Sequence, residues 1–150
     1  MSDYIGGLKD ISSIPKGAKI AFVSSEFNRP FVAEQERITK EFLEKRGFQV
    51  SNTYSVPGAL EIPAMLKRVL EKEHYDLVYC FGVVIRGATT HYEIVSENAA
   101  RLIMDITLEY SKTAIILGIL TCENEEQVQA RLTDGFAISG LNLLAEIHAK

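Results

Sequence analysis

Hydrophobic and polar positions along this chain of 150 residues switch repeatedly between two periods, one of strands and one of helices. Lys19-Ile20-Ala21-Phe22-Val23-Ser24-Ser25 is a short apolar run rich in β-formers and predicts a strand. From Phe31 to Arg46 the residues Phe31, Val32, Ile38, Phe42 and Leu43 recur at helical spacing with charges between them, and Gly47 after Lys45-Arg46 is a stop signal. Phe48 to Tyr54 alternates as a strand does, and Pro57-Gly58 punctuates it. Ala59 to Lys72 is helical again, with Ile62, Met65, Leu66, Val69 and Leu70 on one stripe. Asp76 to Ile85 is the most hydrophobic stretch, and its lack of alternation predicts a central strand buried on both faces. A long helix is predicted over His91 to Tyr110 and a second doubly buried strand over Ala114 to Leu120. Two helical stretches, Glu123 to Arg131 and Phe136 to Lys150, close the chain.

Strands alternating with helices predict an α/β fold with a parallel sheet covered on both faces and joined by right-handed crossovers. Residues 19–150 read as a single domain without repeats or linkers. Residues 1–18 stand apart as an N-terminal arm. They hold Gly6, Gly7, Pro15 and Gly17, carry little apolar surface, and predict either a free tail or an arm docked on another subunit.

Composition narrows the function classes. Apolar residues make up 47% and charged residues 24%, which excludes wholesale disorder. Sixteen basic against twenty acidic side chains give a net charge of −4, and no basic cluster exceeds Lys45-Arg46 and Lys67-Arg68. Nucleic acid is therefore not an expected partner. No apolar run approaches the ~18 residues of a membrane span, so no membrane association is expected. Met1-Ser2-Asp3-Tyr4 lacks the basic-then-apolar pattern of a signal peptide, and a soluble, cytoplasmic protein is expected. Cys80 and Cys122 lack metal-ligand or redox-motif spacing and read as reduced, packed thiols.

Ligands of open parallel sheets bind outside the carboxyl ends of the strands, which singles out four segments. They are Ser25-Glu26-Phe27-Asn28-Arg29, Val56-Pro57-Gly58-Ala59-Leu60-Glu61, Arg86-Gly87-Ala88-Thr89-Thr90-His91 and Leu120-Thr121-Cys122-Glu123. In the third, a small-residue turn at Gly87-Ala88 opens a helix whose free N–H groups, with the hydroxyls of Thr89 and Thr90, suit an anion. The imidazole of His91 in that first turn would stand beside the anion as a proton carrier, unless Thr90 merely caps the helix and His91 is a surface residue. Glu61 either partners a helix dipole or accepts paired N–H donors from a planar ring, and Phe27-Asn28 sets a stacking ring beside an amide. His74, in a charged turn, and His148, near the C-terminal end, read as solvated. The chain has no GxSxG elbow, dinucleotide fingerprint or P-loop, and its few His and Cys residues argue against a metal site.

Taken together the chain resembles the lumazine synthase family. The resemblance rests on Phe27-Asn28, on the block from Val56 to Pro63, on Gly82 to Glu93, and on Gly118-Ile119-Leu120-Thr121, Glu126-Gln127 and Arg131. It implies a flavodoxin-like four-stranded parallel sheet in a three-layer α/β/α sandwich. The activity it implies condenses 5-amino-6-(D-ribitylamino)uracil with 3,4-dihydroxy-2-butanone 4-phosphate to 6,7-dimethyl-8-ribityllumazine, releasing phosphate and water, with neither cofactor nor metal. Carried across by position, Phe27 and Asn28 would meet the pyrimidine ring. Ala59, Leu60 and Glu61 would line the pocket with the backbone of Val83, Val84 and Ile85. Gly87, Ala88 and Thr89 would hold the butanone phosphate, and His91 would shuttle protons. Leu117 and Arg131 match positions supplied by a neighbouring subunit, Arg131 facing the phosphate. The resemblance further implies a homopentamer or a sixty-subunit icosahedral shell with sites at subunit interfaces, and it names riboflavin synthase as a candidate protein partner.

The chain departs from that family at two places. Ser139 stands where a lysine is expected, with Asp134 nearby, and Leu117 replaces a frequent phenylalanine. The lost cation leaves open a non-catalytic flavin or lumazine binder on the same scaffold. A flavodoxin-like electron carrier is a further alternative, against which the loop after the first strand lacks the hydroxyl-rich turn that an FMN phosphate needs.

Overall fold

The computed structural model describes residues 6–87 and 91–149. Among these, four strands alternate with helices: β1 (Ile20–Ser25), α1 (Arg29–Glu44), β2 (Val50–Val56), α2 (Ile62–Lys72), β3 (Leu77–Ile85), α3 (His91–Glu109), β4 (Ala114–Cys122), α4 (Glu125–Ala130) and α5 (Gly135–Ile147). All three strand pairs are parallel, in the order β2-β1-β3-β4. The two apolar runs of the sequence become β3 in the centre and β4 at one edge.

Side-chain alternation along the strands divides the core in two. Ile20, Phe22, Leu77, Tyr79, Phe81, Leu120 and Cys122 face one layer, where Val32 and Leu43 of α1 and Leu141 and Leu144 of α5 cover them. Ala21, Val23, Val78, Cys80, Ile115 and Ile119 face the other, beneath Leu66 and Val69 of α2 and Val95, Ala99 and Ile103 of α3. The result is the three-layer α/β/α sandwich. Tyr79 donates its hydroxyl hydrogen bond to the carbonyl of Ala137 on α5 (3.0 Å), and Gly140 one turn later leaves room for that ring. A Cβ there would lie 2.3 Å from the Tyr79 oxygen. Cys80 and Cys122 are free and buried, as packed thiols should be.

Several boundaries differ from the sequence reading for identifiable reasons. β2 starts at Val50 because parallel pairing with β1 begins at Ile20↔Val50, which leaves Phe48 as a buried loop residue. Ala59–Glu61 forms a separate 3-10 turn ahead of α2. β4 pairs with β3 as far as Ile85↔Cys122, so Thr121 and Cys122 belong to the strand. Asn124 caps α4 by accepting from Gln127 N (2.9 Å), which shortens that helix to Glu125–Ala130. α1 buries Gln35 and Thr39 within its apolar stripe, and Gln35 Nε2 donates to the Gly118 carbonyl at 2.7 Å. His148, expected in solvent, is half-buried at the end of α5, with Nε2 3.9 Å from Asp76 Oδ1.

Much of the N-terminal arm lies on its own chain's α5. Lys9 N donates to Asn142 Oδ1, Asn142 Nδ2 to the Gly7 carbonyl and Ser13 Oγ to the Ala145 carbonyl. Ile14 is buried, and Leu8 and Ile11 pack beside it.

Candidate active site

The carboxyl ends of β1, β2 and β3 meet at one edge of the sheet. Backbone hydrogen bonds staple the first two together, from Glu26 N to the Val56 carbonyl (2.8 Å) and from Phe27 N to the Pro57 carbonyl (3.1 Å). Asn28 then turns the chain into α1 through a left-handed conformation (φ 58°, ψ 39°) that asparagine tolerates better than most residues. Its Nδ2 donates to the Val83 carbonyl at 2.8 Å, which ties the β1 exit to β3. The turn leaves Phe27 70% exposed, so one face of its ring is open to stack with a flat partner.

After β2, Gly58 N donates to Glu61 Oε1 at 2.9 Å. Glu61 thus serves the turn with one oxygen and has a second for other partners. Gly58 lets the turn pack closely, since a Cβ would come within 3.2 Å of both the Glu61 carboxylate and the Phe27 ring and would push one of them aside by a few tenths of an ångström.

These turns enclose a cleft of about 460 Å3 lined by Phe27, Asn28, Gly58, Ala59, Leu60, Glu61, Val83, Val84, Ile85, His91 and Val95. Nine residues singled out from the sequence therefore share one cavity. They are Phe27, Asn28, Ala59, Leu60, Glu61, Val83, Val84, Ile85 and His91. Gly87 lies beyond β3, exposed and outside the lining. Ala88 and Thr89 lie outside the described residues, as does Thr90. Leu117 and Arg131 do not reach this cleft. Leu117 is half-buried on the edge strand β4, and Arg131 ends α4 with Nη1 donating to the Gln127 carbonyl at 3.2 Å. Ser139 sits inside α5, its hydroxyl donating to the Phe136 carbonyl at 3.0 Å.

Two lining residues escaped the sequence reading. Val95 stands four residues after His91 on α3, a spacing that puts both on one helix face. Gly58 lay in a quoted segment but was read only as a turn former. A neighbouring group was missed as well. Arg86 donates from Nε to Glu123 Oε1 (2.9 Å), pairs with Glu93 and stacks over the Tyr92 ring at 4.4 Å. Its partners hold the guanidinium even more firmly protonated than usual, and Arg86 in turn keeps the Glu93 carboxyl below its ordinary range.

Chemically the cleft offers an exposed aromatic face, apolar strand ends, a carboxylate and an imidazole. No Lys or Arg is among its described lining residues, so an anion bound there would need a cation from elsewhere.

Comparison with known proteins fits this arrangement. The family profile described as 6,7-dimethyl-8-ribityllumazine synthase matches residues 17–142. A 6,7-dimethyl-8-ribityllumazine synthase of Archaeoglobus fulgidus is 46% identical over 101 residues, covering 67% of this chain and 70% of that protein. One from Limosilactobacillus reuteri is 37% identical over 116 residues (77% and 76% covered), and one from Coxiella burnetii is 39% identical over 115 residues (75% and 76%).

Proposed function

The chain belongs to the 6,7-dimethyl-8-ribityllumazine synthase family, and from that premise we propose how its residues divide the work of the condensation. The protein is a transferase of riboflavin biosynthesis, joining 5-amino-6-(D-ribitylamino)uracil to 3,4-dihydroxy-2-butanone 4-phosphate. The amine of one substrate adds to the ketone of the other and a first water leaves to give an imine; phosphate is then eliminated, and the second nitrogen adds to the remaining carbonyl, whose oxygen leaves as a second water as the ring closes.

The cleft suits a planar, hydrogen-bonding heterocycle. Phe27 stacks on the pyrimidinedione, Asn28 holds the turn that presents it, and the Glu61 oxygen not engaged by Gly58 accepts from the substrate. Ala59, Leu60 and the strand ends Val83, Val84 and Ile85 form the walls. His91 stands where it can take and return the protons of imine formation and elimination. Ala88 and Thr89 follow Gly87 in the chain and carry the phosphate-binding assignment on sequence grounds.

Both substrates arrive with their reactive groups in place, so holding them in line supplies the larger share, up to ~7–11 kcal/mol for well-aligned reactants. The observation that carries the reading is nine sequence-selected residues lining a single cleft.

We further propose that the active form is a ring, a homopentamer with its sites between subunits, in the cytoplasm. Among its described lining residues the cleft has no cation of its own, whereas Arg131 ends α4 away from it. Ile94, Met104 and Leu108 on α3 are at least half exposed, an apolar face suited to a neighbouring copy. Sedimentation separates a pentamer from a sixty-subunit shell, which differ roughly twelvefold in mass; a shell would be the form that can house riboflavin synthase.

Incubating the protein with both substrates and following the lumazine chromophore tests the activity. Chromophore formation dependent on both substrates is the expected result. Binding of the pyrimidinedione without turnover would instead make the chain a binding protein on the same scaffold.

A further inference from the structure

The contacts of Arg86 join three parts of the molecule that the sequence keeps apart. Its backbone N–H donates to the Cys122 carbonyl at 2.9 Å, which continues the β3–β4 pairing one residue past Ile85↔Cys122. With the backbone fixed there, the side chain reaches in two directions. Nε donates to Glu123 Oε1 just beyond β4, and the other end of the guanidinium pairs with Glu93 in the first turn of α3. The flat face covers Tyr92. Tyr92 and Glu93 are the two residues that follow His91, so one planar group grips the turn that carries the cleft's imidazole.

The purpose of such a grip is geometric. Side chains of Arg86, Glu93 and Glu123 retain 39%, 38% and 54% exposure, and ion pairs at that exposure contribute little to stability. A guanidinium bound along two edges and one face is nevertheless fixed in orientation, which a lysine ammonium could not reproduce. Its charge is also committed to two carboxylates, which makes Arg86 a poor receptor for a third anion.

We propose that Arg86 is a positioning residue for the condensation, a clamp that holds the His91 turn of α3 against the end of β4 and so keeps the imidazole directed at the cleft. The inference rests on the condensation reading and deepens it.

Steady-state kinetics of lumazine formation test it, using the full-length assembled protein. Arg86→Gln is expected to lower kcat about 10- to 100-fold, the scale on which misplacing a catalytic group acts. KM for the butanone phosphate should stay within about threefold, because no substrate contact is lost. Arg86→Lys should fail to rescue kcat. Glu93→Gln and Glu123→Gln approach the clamp from its far ends, should each lower kcat, and carry the test if Arg86→Gln does not fold. Combining Arg86→Gln with Glu123→Gln should be no slower than Arg86→Gln alone, as expected of residues acting through one contact. Wild-type kcat in the Lys variant, a rise in KM with kcat unchanged, or full additivity of the double variant would overturn the clamp. Loss of the reading beneath it would look different, since the wild-type protein itself would then form no lumazine.

Discussion

At the residue scale, the candidate site was legible wherever a functional side chain directly follows a strand. Phe27, Glu61 and His91 stand in the turns after β1, β2 and β3, and the rule that parallel sheets bind ligands at their carboxyl ends brings them together without a structure. Arg86 was illegible for the opposite reason. Its partners Glu93 and Glu123 lie on different elements, and only the fold makes them neighbours. The proposed acid–base role of His91 predicts the outcome of removing its imidazole. His91→Ala should slow lumazine formation about 10²- to 10⁴-fold, the usual contribution of one positioned proton carrier. Residual turnover should persist because the remaining walls still align amine and ketone. Complete loss of activity in a variant that still binds both substrates would show that alignment is not the larger share. Ser139→Lys tests a second residue. If the position reaches the phosphate, the restored cation should tighten butanone phosphate binding in titration calorimetry, whereas unchanged affinity would assign Ser139 to α5 packing alone.

At the scale of elements, periodicity identified each strand and helix, while the ends were set by partners far along the chain. β2 begins where β1 offers a pairing register, and α4 begins where Asn124 caps it. The packing of α5 on the sheet was likewise hidden. Nothing in the helical pattern of Phe136 to Lys150 marks Gly140, yet the space beside it is occupied by Tyr79. Gly140→Ala should therefore destabilise the fold by about 1–3 kcal/mol, the range for overfilled cores, and more if the ring cannot shift. Gly17→Ala, where a Cβ would meet nothing within 4 Å, should leave the melting temperature close to wild type. Both ends of the sheet respond to acid, the one opposite the cleft through Glu73 and the cleft end through Glu93. Lys19 and the Tyr75 hydroxyl hold the Glu73 carboxyl below its ordinary range, and Arg86 does the same for Glu93. A carboxyl depressed in the folded state stabilises it above the unfolded-state pKa and loses that contribution as pH falls. The melting temperature should decline on acidification below about pH 5, and Glu73→Gln should make that decline shallower.

At the scale of the whole molecule, the cleft and the cation that the family pattern would pair with it lie apart. The cleft has an imidazole, a carboxylate and an aromatic face but no cation of its own among the described lining residues. Arg131, the cation that the family pattern assigns to the phosphate, ends α4 outside that cleft. In a ring with head-to-tail contacts each chain can lend its Arg131 to the next, so that every site combines two subunits. Mixing variants examines this directly. His91→Ala and Arg131→Ala should each be strongly impaired alone, the second chiefly through KM for the butanone phosphate. If the two are unfolded together and reassembled in equal amounts, some interfaces will pair an intact His91 from one chain with an intact Arg131 from the other. Random assembly around a ring makes about one interface in four wild-type in this sense, and activity should recover toward that fraction. A mixture no more active than the average of its two components would mean that each chain uses its own arginine. The Arg131 side chain would then have to leave the Gln127 carbonyl and cross to its own cleft when substrate binds.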